Sequence, residues 1–119
     1  MIGEIVMQYD KNNVFYKIIN KEIETNIVLE GDHFIAINDI VPKAPVHVLV
    51  ITKGEYVDFA DFAKNASDAE IVDVNKAIAK LIDMLHLKEG GYKLVSNSGK
   101  FGMQEVMHAH IHILGKPAE

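Results

Sequence analysis

Residues 108–113 read His-Ala-His-Ile-His-Ile. Strict alternation of this kind is the pattern of a β-strand with one buried face, because successive side chains of a strand point to opposite sides. Ala109, Ile111 and Ile113 then turn toward a core. His108, His110 and His112 form a row on the other face, each roughly 6.5 Å from the next. Packing alone does not call for three imidazoles on one face. Histidine titrates near neutral pH, attacks electrophiles when neutral and binds anions when protonated.

Composition narrows what such a row can work on. All 12 basic residues are lysine and none is arginine. A phosphate site in this chain must therefore do without a bidentate guanidinium fork and rely on histidines, amide side chains and backbone N–H groups. The formal net charge of −5 argues against a general nucleic-acid surface. There is no cysteine, hence no disulfide and no thiolate metal site. No apolar run approaches the ~18 residues of a membrane span, and the first 13 residues lack the basic and apolar regions of a signal peptide. A single cytoplasmic domain over residues 1–119 is the expectation.

Along the chain, residues 1–8 are weakly strand-like, and Asp10 to Asn13 form a turn signal. Val14, Phe15, Ile18 and Ile19 recur at helical spacing behind Asn12 or Asn13 as N-cap, which predicts a short amphipathic helix over 14–20. Strands are expected over 26–30 and 34–37, joined as a hairpin by Gly31-Asp32-His33. A loop stiffened by Pro42 and Pro45 leads to a nearly all-apolar, central strand over 47–52. Residues 53–65 leave room for a short helix, with Tyr56, Phe59 and Phe62 as packing residues. Ser67 and Glu70 have capping-box spacing. They open the longest helix, over 69–86, whose Ile71, Val74, Ile78, Leu81, Ile82 and Leu85 recur every three or four residues. His86 then falls in the last turn, where the helix dipole favours a cation, and Gly90-Gly91 ends the element. A fourth strand over 92–96, a glycine-bearing loop and a fifth strand over 107–114 complete the chain. Strands in short-loop succession with one long helix inserted indicate an α+β fold with an antiparallel sheet.

The run His108-x-His110-x-His112 followed by Ile113-Leu114 resembles the histidine triad (HIT) signature, in which three histidines alternate with apolar residues and two more apolar residues follow. Asn97-Ser98-Gly99, Gly102-x-Gln104 and Gly115 resemble the HINT branch of that family, the nucleoside phosphoramidase-like HIT proteins. The likeness runs from about Phe15 to the C-terminus. It implies a HIT-like fold, a five-stranded antiparallel sheet with one long and one short helix. It also implies a purine nucleotide-binding hydrolase that cleaves nucleoside 5′-phosphoramidates or related conjugates and releases AMP or GMP through a covalent nucleotidyl-histidine.

By the same resemblance His110 is the nucleophile, its far ring nitrogen held by a backbone carbonyl so that the near one attacks. His112 contacts the phosphate oxygens, and His108 is a supporting histidine that bonds toward His47. Asn97 and Gln104 reach the α-phosphate or its bridging atom. Asp39 accepts from the ribose hydroxyls, as a carboxylate suits a vicinal diol. Val14, Phe15 and Ile18 line one wall of the base pocket, and Ile37, Asn38, Ile40, Glu105 and Val106 complete the nucleotide-binding set. The resemblance implies no cofactor and no metal, no nucleic-acid or membrane partner, and a homodimer formed through the long helix and the strand after it.

Other readings stay open on the residues alone. The chain fits a dinucleoside polyphosphate hydrolase, or a nucleotide-binding regulatory protein without catalysis. His-x-His is also a metal-ligand spacing, with His47 or Glu105 as a third ligand. His33 reads as a solvated turn residue, Asp39 as a turn cap before Pro42, and Asn97 and Gln104 as loop caps. Two positions depart from the HINT pattern, which usually reads Gly-Gly-Gln-Ser before the triad. Met103 replaces a small residue and could narrow the site, and Glu105 replaces a serine that assists the leaving group.

Overall fold

The computed structural model describes residues 8–118, so the weak strand signal at 1–8 lies outside the described residues but for Gln8. The elements run α1 (Val14–Ile19), β1 (Ile27–Glu30), β2 (Phe34–Asn38), β3 (Val46–Thr52), α2 (Phe59–Asn65), α3 (Asp68–Met84), α4 (Leu87–Gly90), β4 (Tyr92–Val95) and β5 (His110–Gly115). The five strands form one sheet in the order β1-β2-β3-β5-β4, every neighbouring pair antiparallel. This is the expected α+β architecture. Besides the long helix and the short one at 14–19, the described residues hold two further short helices, α2 and α4.

Local chemistry sets the helix starts. The Asn13 side chain accepts from the Tyr16 N–H and opens α1. Ser67 Oγ accepts from the Glu70 N–H at 3.2 Å, and the Glu70 carboxylate accepts from the Ser67 N–H at 3.0 Å, the reciprocal pair that Ser67-x-x-Glu70 encodes. The far end of α3 differs from the expectation of a helix to residue 86. It stops at Met84, and His86 takes a left-handed conformation with φ 57°. A single turn, α4, follows, and Gly91 at φ 98° ends it. His86 is exposed and caps nothing with its ring.

Both faces of the sheet are covered, which explains why β3 is apolar at almost every position. Phe34, Ala36, Val48, Val50 and Ile113 on one face pack against Val74, Ala77, Ile78 and Leu81 of α3 and Leu87 of α4. On the other face Ile35, Ile37, Leu49 and Ile51 pack against Phe15 and Ile18 of α1. Each buried Val, Leu, Ile or Phe among them contributes about 1.5–3 kcal/mol of transfer free energy. Phe62 is buried, and Tyr56 packs on it and donates its hydroxyl to Glu70, whereas Phe59 stays half exposed. His33 is not simply solvated. Its N–H and its Nδ1 both lie 3.1 Å from the Asp73 carboxylate and tie the β1–β2 turn to α3.

The last strand starts later than the alternation suggests. His108 N–H bonds to the Val106 carbonyl at 2.9 Å and Ala109 N–H to that of Tyr56 at 2.7 Å. These bonds curl the backbone ahead of the sheet, so β5 spans His110–Gly115 rather than 107–114.

Candidate active site

The register of β3 with β5 assembles the site. Ile51 stands opposite His110, Leu49 opposite His112 and His47 opposite Leu114. Opposed residues share a face, so His110, His112 and His47 lie on the face that α1 covers. Phe15 of α1 meets the His110 ring edge-on, with centroids 4.8 Å apart. The His110 and His112 rings follow at 5.0 Å, and those of His112 and His47 at 5.1 Å.

His110 is 8% exposed. Its Nδ1–H donates to the carbonyl of His108 at 2.6 Å. The proton therefore sits on Nδ1, and Nε2 carries a lone pair. Among the described residues no buried side-chain nitrogen or oxygen lacks a partner. Nε2 makes no hydrogen bond to any described residue, and it opens to solvent. Burial pushes the His110 pKa down, while the charges of Asp39 and Glu105 pull it back. The ring is neutral and nucleophilic at pH 7.

The second pair has the opposite tautomer. The Lys43 N–H donates to His47 Nδ1 at 3.1 Å. His47, 4% exposed, must then carry its proton on Nε2. Nε2 lies 2.9 Å from His112 Nδ1 and 3.4 Å from Asp39 Oδ2. Two donors cannot face each other, so His112 accepts at Nδ1 and keeps its own proton on Nε2. Burial, then the neighbouring His110 and His47, take the His112 pKa down to about 4. The site thus presents one bare nitrogen, on His110, beside one neutral N–H donor, on His112.

His108 is fully buried and has other partners than the resemblance suggests. It does not bond to His47. Its Nε2–H donates to the Thr52 carbonyl at 2.6 Å, and its Nδ1 accepts from the Tyr9 hydroxyl. The first histidine of the row is a buried strut, and its backbone carbonyl is what reaches His110. The partner of His47 is His112.

The loop amides brace their own loop. Gln104 Nε2 donates to the carbonyls of Val57 and Val106 at 2.7 and 3.0 Å, and its Oε1 accepts from Gly99 N–H. Asn97 Nδ2 donates to the Gly102 carbonyl at 2.8 Å. A Cβ at Gly102 would lie 2.3 Å from the Ser98 carbonyl oxygen, so only glycine closes the loop there. Met103 follows in a left-handed conformation, φ 58°, which costs a non-glycine residue about 1–2 kcal/mol. Its side chain is 78% exposed and turned out to solvent. Glu105 is exposed. Val106 packs against Phe15 and its neighbours.

Asp39 is both turn cap and site residue: its Oδ1 accepts from Val41 N–H at 2.9 Å while Oδ2 faces His47. Ile37 is buried beneath α1, Asn38 is exposed at the end of β2, and Val14 is partly exposed on α1. Ile40, 92% exposed, stands with Ile18, Ile23 and Ile27 around a hollow of about 670 Å³ between α1 and β1. A metal is best served by Asp39, His47 and His112, which bring one ligand atom each within 4.8 Å of one another. Glu105, His108 and His110 stand outside that group. A cation there would have to displace the proton that His47 Nε2 presents to His112.

A family model described as HIT domain matches residues 20–119. The chain belongs to the HIT domain family. An uncharacterized HIT-like protein of Azospirillum brasilense is 46% identical over 105 residues, covering 88% of this chain and 86% of its own. The purine nucleoside phosphoramidase of Escherichia coli is 34% identical over 105 residues, covering 88% and 87%. The solved structure of a HIT family hydrolase from Clostridium thermocellum superposes with a TM-score of 0.77 at 38% identity, covering 89% of this chain and 91% of the other. The chain is thus a HIT-family, hydrolase-like protein.

Acid should unfold this HIT domain through its buried histidines. Burial takes the His108 pKa from 6.5 down to about 4. The unfolded chain binds that proton at higher pH than the folded one, so the stabilisation is complete above about 6.5 and is lost as the pH falls toward 4. At about 1.4 kcal/mol per pH unit, His108 alone accounts for a loss on the order of 3 kcal/mol. Denaturant unfolding at pH 7.5, 6 and 5 should show stability falling across that window, and His108→Asn should flatten the slope. An unaltered slope in His108→Asn contradicts the assignment.

Proposed function

We propose that this HIT protein hydrolyses purine nucleoside 5′-phosphoramidates or related nucleotidyl conjugates, with His110 as the nucleophile. The observation that carries the reading is the His110 tautomer: Nδ1–H is tied to the His108 carbonyl and Nε2 is bare and open. The named activity of the Escherichia coli relative supports the choice of substrate.

In the proposed reaction the purine lies in the hollow bounded by Ile18, Ile27 and Ile40, and Asp39 accepts from the ribose hydroxyls. The Nε2 lone pair of His110 attacks phosphorus. The P–N bond to the amine breaks, and the amine leaves with a proton from solvent. His112 Nε2–H donates to a phosphoryl oxygen as negative charge develops there. Water then attacks phosphorus and gives up a proton to solvent, the electron pair of the Nε2–P bond returns to His110, and the nucleoside monophosphate departs. Neutral donors suit a chain without arginine. Gln104 and Asn97 act by holding the loop and reach phosphate only if the loop rearranges. A Glu105 carboxylate near the phosphate would weaken binding of anionic ground states, by about 1–3 kcal/mol at ~6 Å and an effective dielectric near 20.

We also propose a homodimer. Edge strand β4 exposes Tyr92 and Leu94, each at 47%, and α3 exposes Val72 and Met84. An unpaired edge bearing apolar side chains is a natural pairing surface. Sedimentation at micromolar concentration should give twice the chain mass, and a monomer there rejects the proposal.

His110→Ala should lower kcat on an adenosine phosphoramidate by more than about 10³-fold, with AMP affinity within a few-fold of wild type. Residual turnover near wild type eliminates the covalent mechanism. Tight AMP binding without turnover by the wild-type protein favours the regulatory reading. Faster cleavage of a dinucleoside polyphosphate than of the phosphoramidate favours that substrate class.

A further inference from the structure

Tyr9 belongs to no helix or strand, yet its hydroxyl meets a group buried just ahead of the last strand. The hydroxyl donates to His108 Nδ1 across 99 positions of sequence. The two rings stand edge to face with centroids 5.4 Å apart. The other His108 nitrogen, Nε2–H, donates to the Thr52 carbonyl, with Thr52 Oγ1 close by at 3.2 Å. Phe15 closes the ring in at 6.3 Å. The imidazole is thus held from two sides, by Tyr9 at Nδ1 and by Thr52 at Nε2, and has no exposed surface.

The backbone of the same residue carries the carbonyl that accepts from His110 Nδ1–H at 2.6 Å. A fixed His108 ring fixes that carbonyl, and the carbonyl fixes both the plane and the tautomer of His110. We propose that Tyr9 is a positioning residue for the nucleophile: its hydroxyl, acting through His108, aims His110 Nε2. The proposal rests on the reading of His110 as nucleophile. A phenylalanine would fill the same space, so the distinctive contribution of tyrosine is its one donor, which satisfies an otherwise orphaned nitrogen. Burial raises the phenol above its ordinary value, with the Asn13 amide pulling the other way, so the proton is present for donation throughout the neutral range. Lys11 and Glu55, 4.0 Å apart, tie the same segment to the loop after β3.

Tyr9 lies behind His108, away from substrate, so the effect should appear in kcat and not in KM. A reacting atom displaced by about 1 Å costs on the order of 10²-fold. Tyr9→Phe should therefore lower kcat on an adenosine phosphoramidate by roughly 10-fold to 10²-fold, with KM near wild type and the melting temperature lowered by several degrees, the cost of one unpaired buried acceptor. In ¹⁵N spectra the His108 Nδ1 resonance should move toward the free-imine position, and the His110 Nδ1–H proton should shift or broaden. Tyr16→Phe removes the hydroxyl of the ring packed on Tyr9 and should change none of these. Wild-type kcat in Tyr9→Phe, an equal loss in Tyr16→Phe, or a His110 signal that stays put overturns the proposal. If the wild-type protein turns over no phosphoramidate, the catalytic reading fails, and the two NMR signals alone decide whether Tyr9 orients His110.

Discussion

The pairing of β3 with β5 is the constraint on which everything else hangs. Its register sets Leu49 against His112 and Ile51 against His110, so one pleat surface carries both the apolar floor under α1 and the reacting imidazoles. A slip of one residue would send the histidines into the core beneath α3 and bring Ile111 and Ile113 out. With both faces packed, such a slip is too costly to be populated. The core that stabilises the domain is also the device that aims the site.

Within that frame two backbone groups decide the chemistry. The His108 carbonyl accepts from His110 Nδ1–H, and the Lys43 N–H donates to His47 Nδ1. The first leaves a bare nitrogen on His110. The second passes through His47 to leave a donor on His112. Adjacent rings 5.0 Å apart therefore hold opposite tautomers. Burial keeps both neutral, so the His110 lone pair is not lost to protonation and His112 offers a neutral N–H to an anionic phosphoryl group.

Features fixed by near neighbours in sequence were legible. The alternation marks the strand and its buried face from His110 onward, Ser67-x-x-Glu70 marks the start of α3, and the apolar run of β3 marks its central place. Contacts between distant segments were not. His108 falls in step with the other two histidines, but bonds to Val106 and Tyr56 curl it out of the strand and into the core. No local pattern marks Tyr9, a single tyrosine beside a turn, as its partner. Asn97 and Gln104 were visible as amides near glycines, but whether an amide faces phosphate or its own loop depends on where Gly102 and Val57 lie. His47 stands near the start of β3, as the apolar run after Pro45 indicates, and only the fold shows that its partner is His112.

The central claim is that His110 and His112 are neutral and of opposite tautomer. A long-range ¹H–¹⁵N correlation spectrum of uniformly labelled protein at pH 7 reads this directly. It should show His110 protonated on Nδ1 with a free-imine Nε2, and His112 protonated on Nε2 with a hydrogen-bonded Nδ1. The same tautomer in both rings, or an imidazolium pattern in either at that pH, would contradict it.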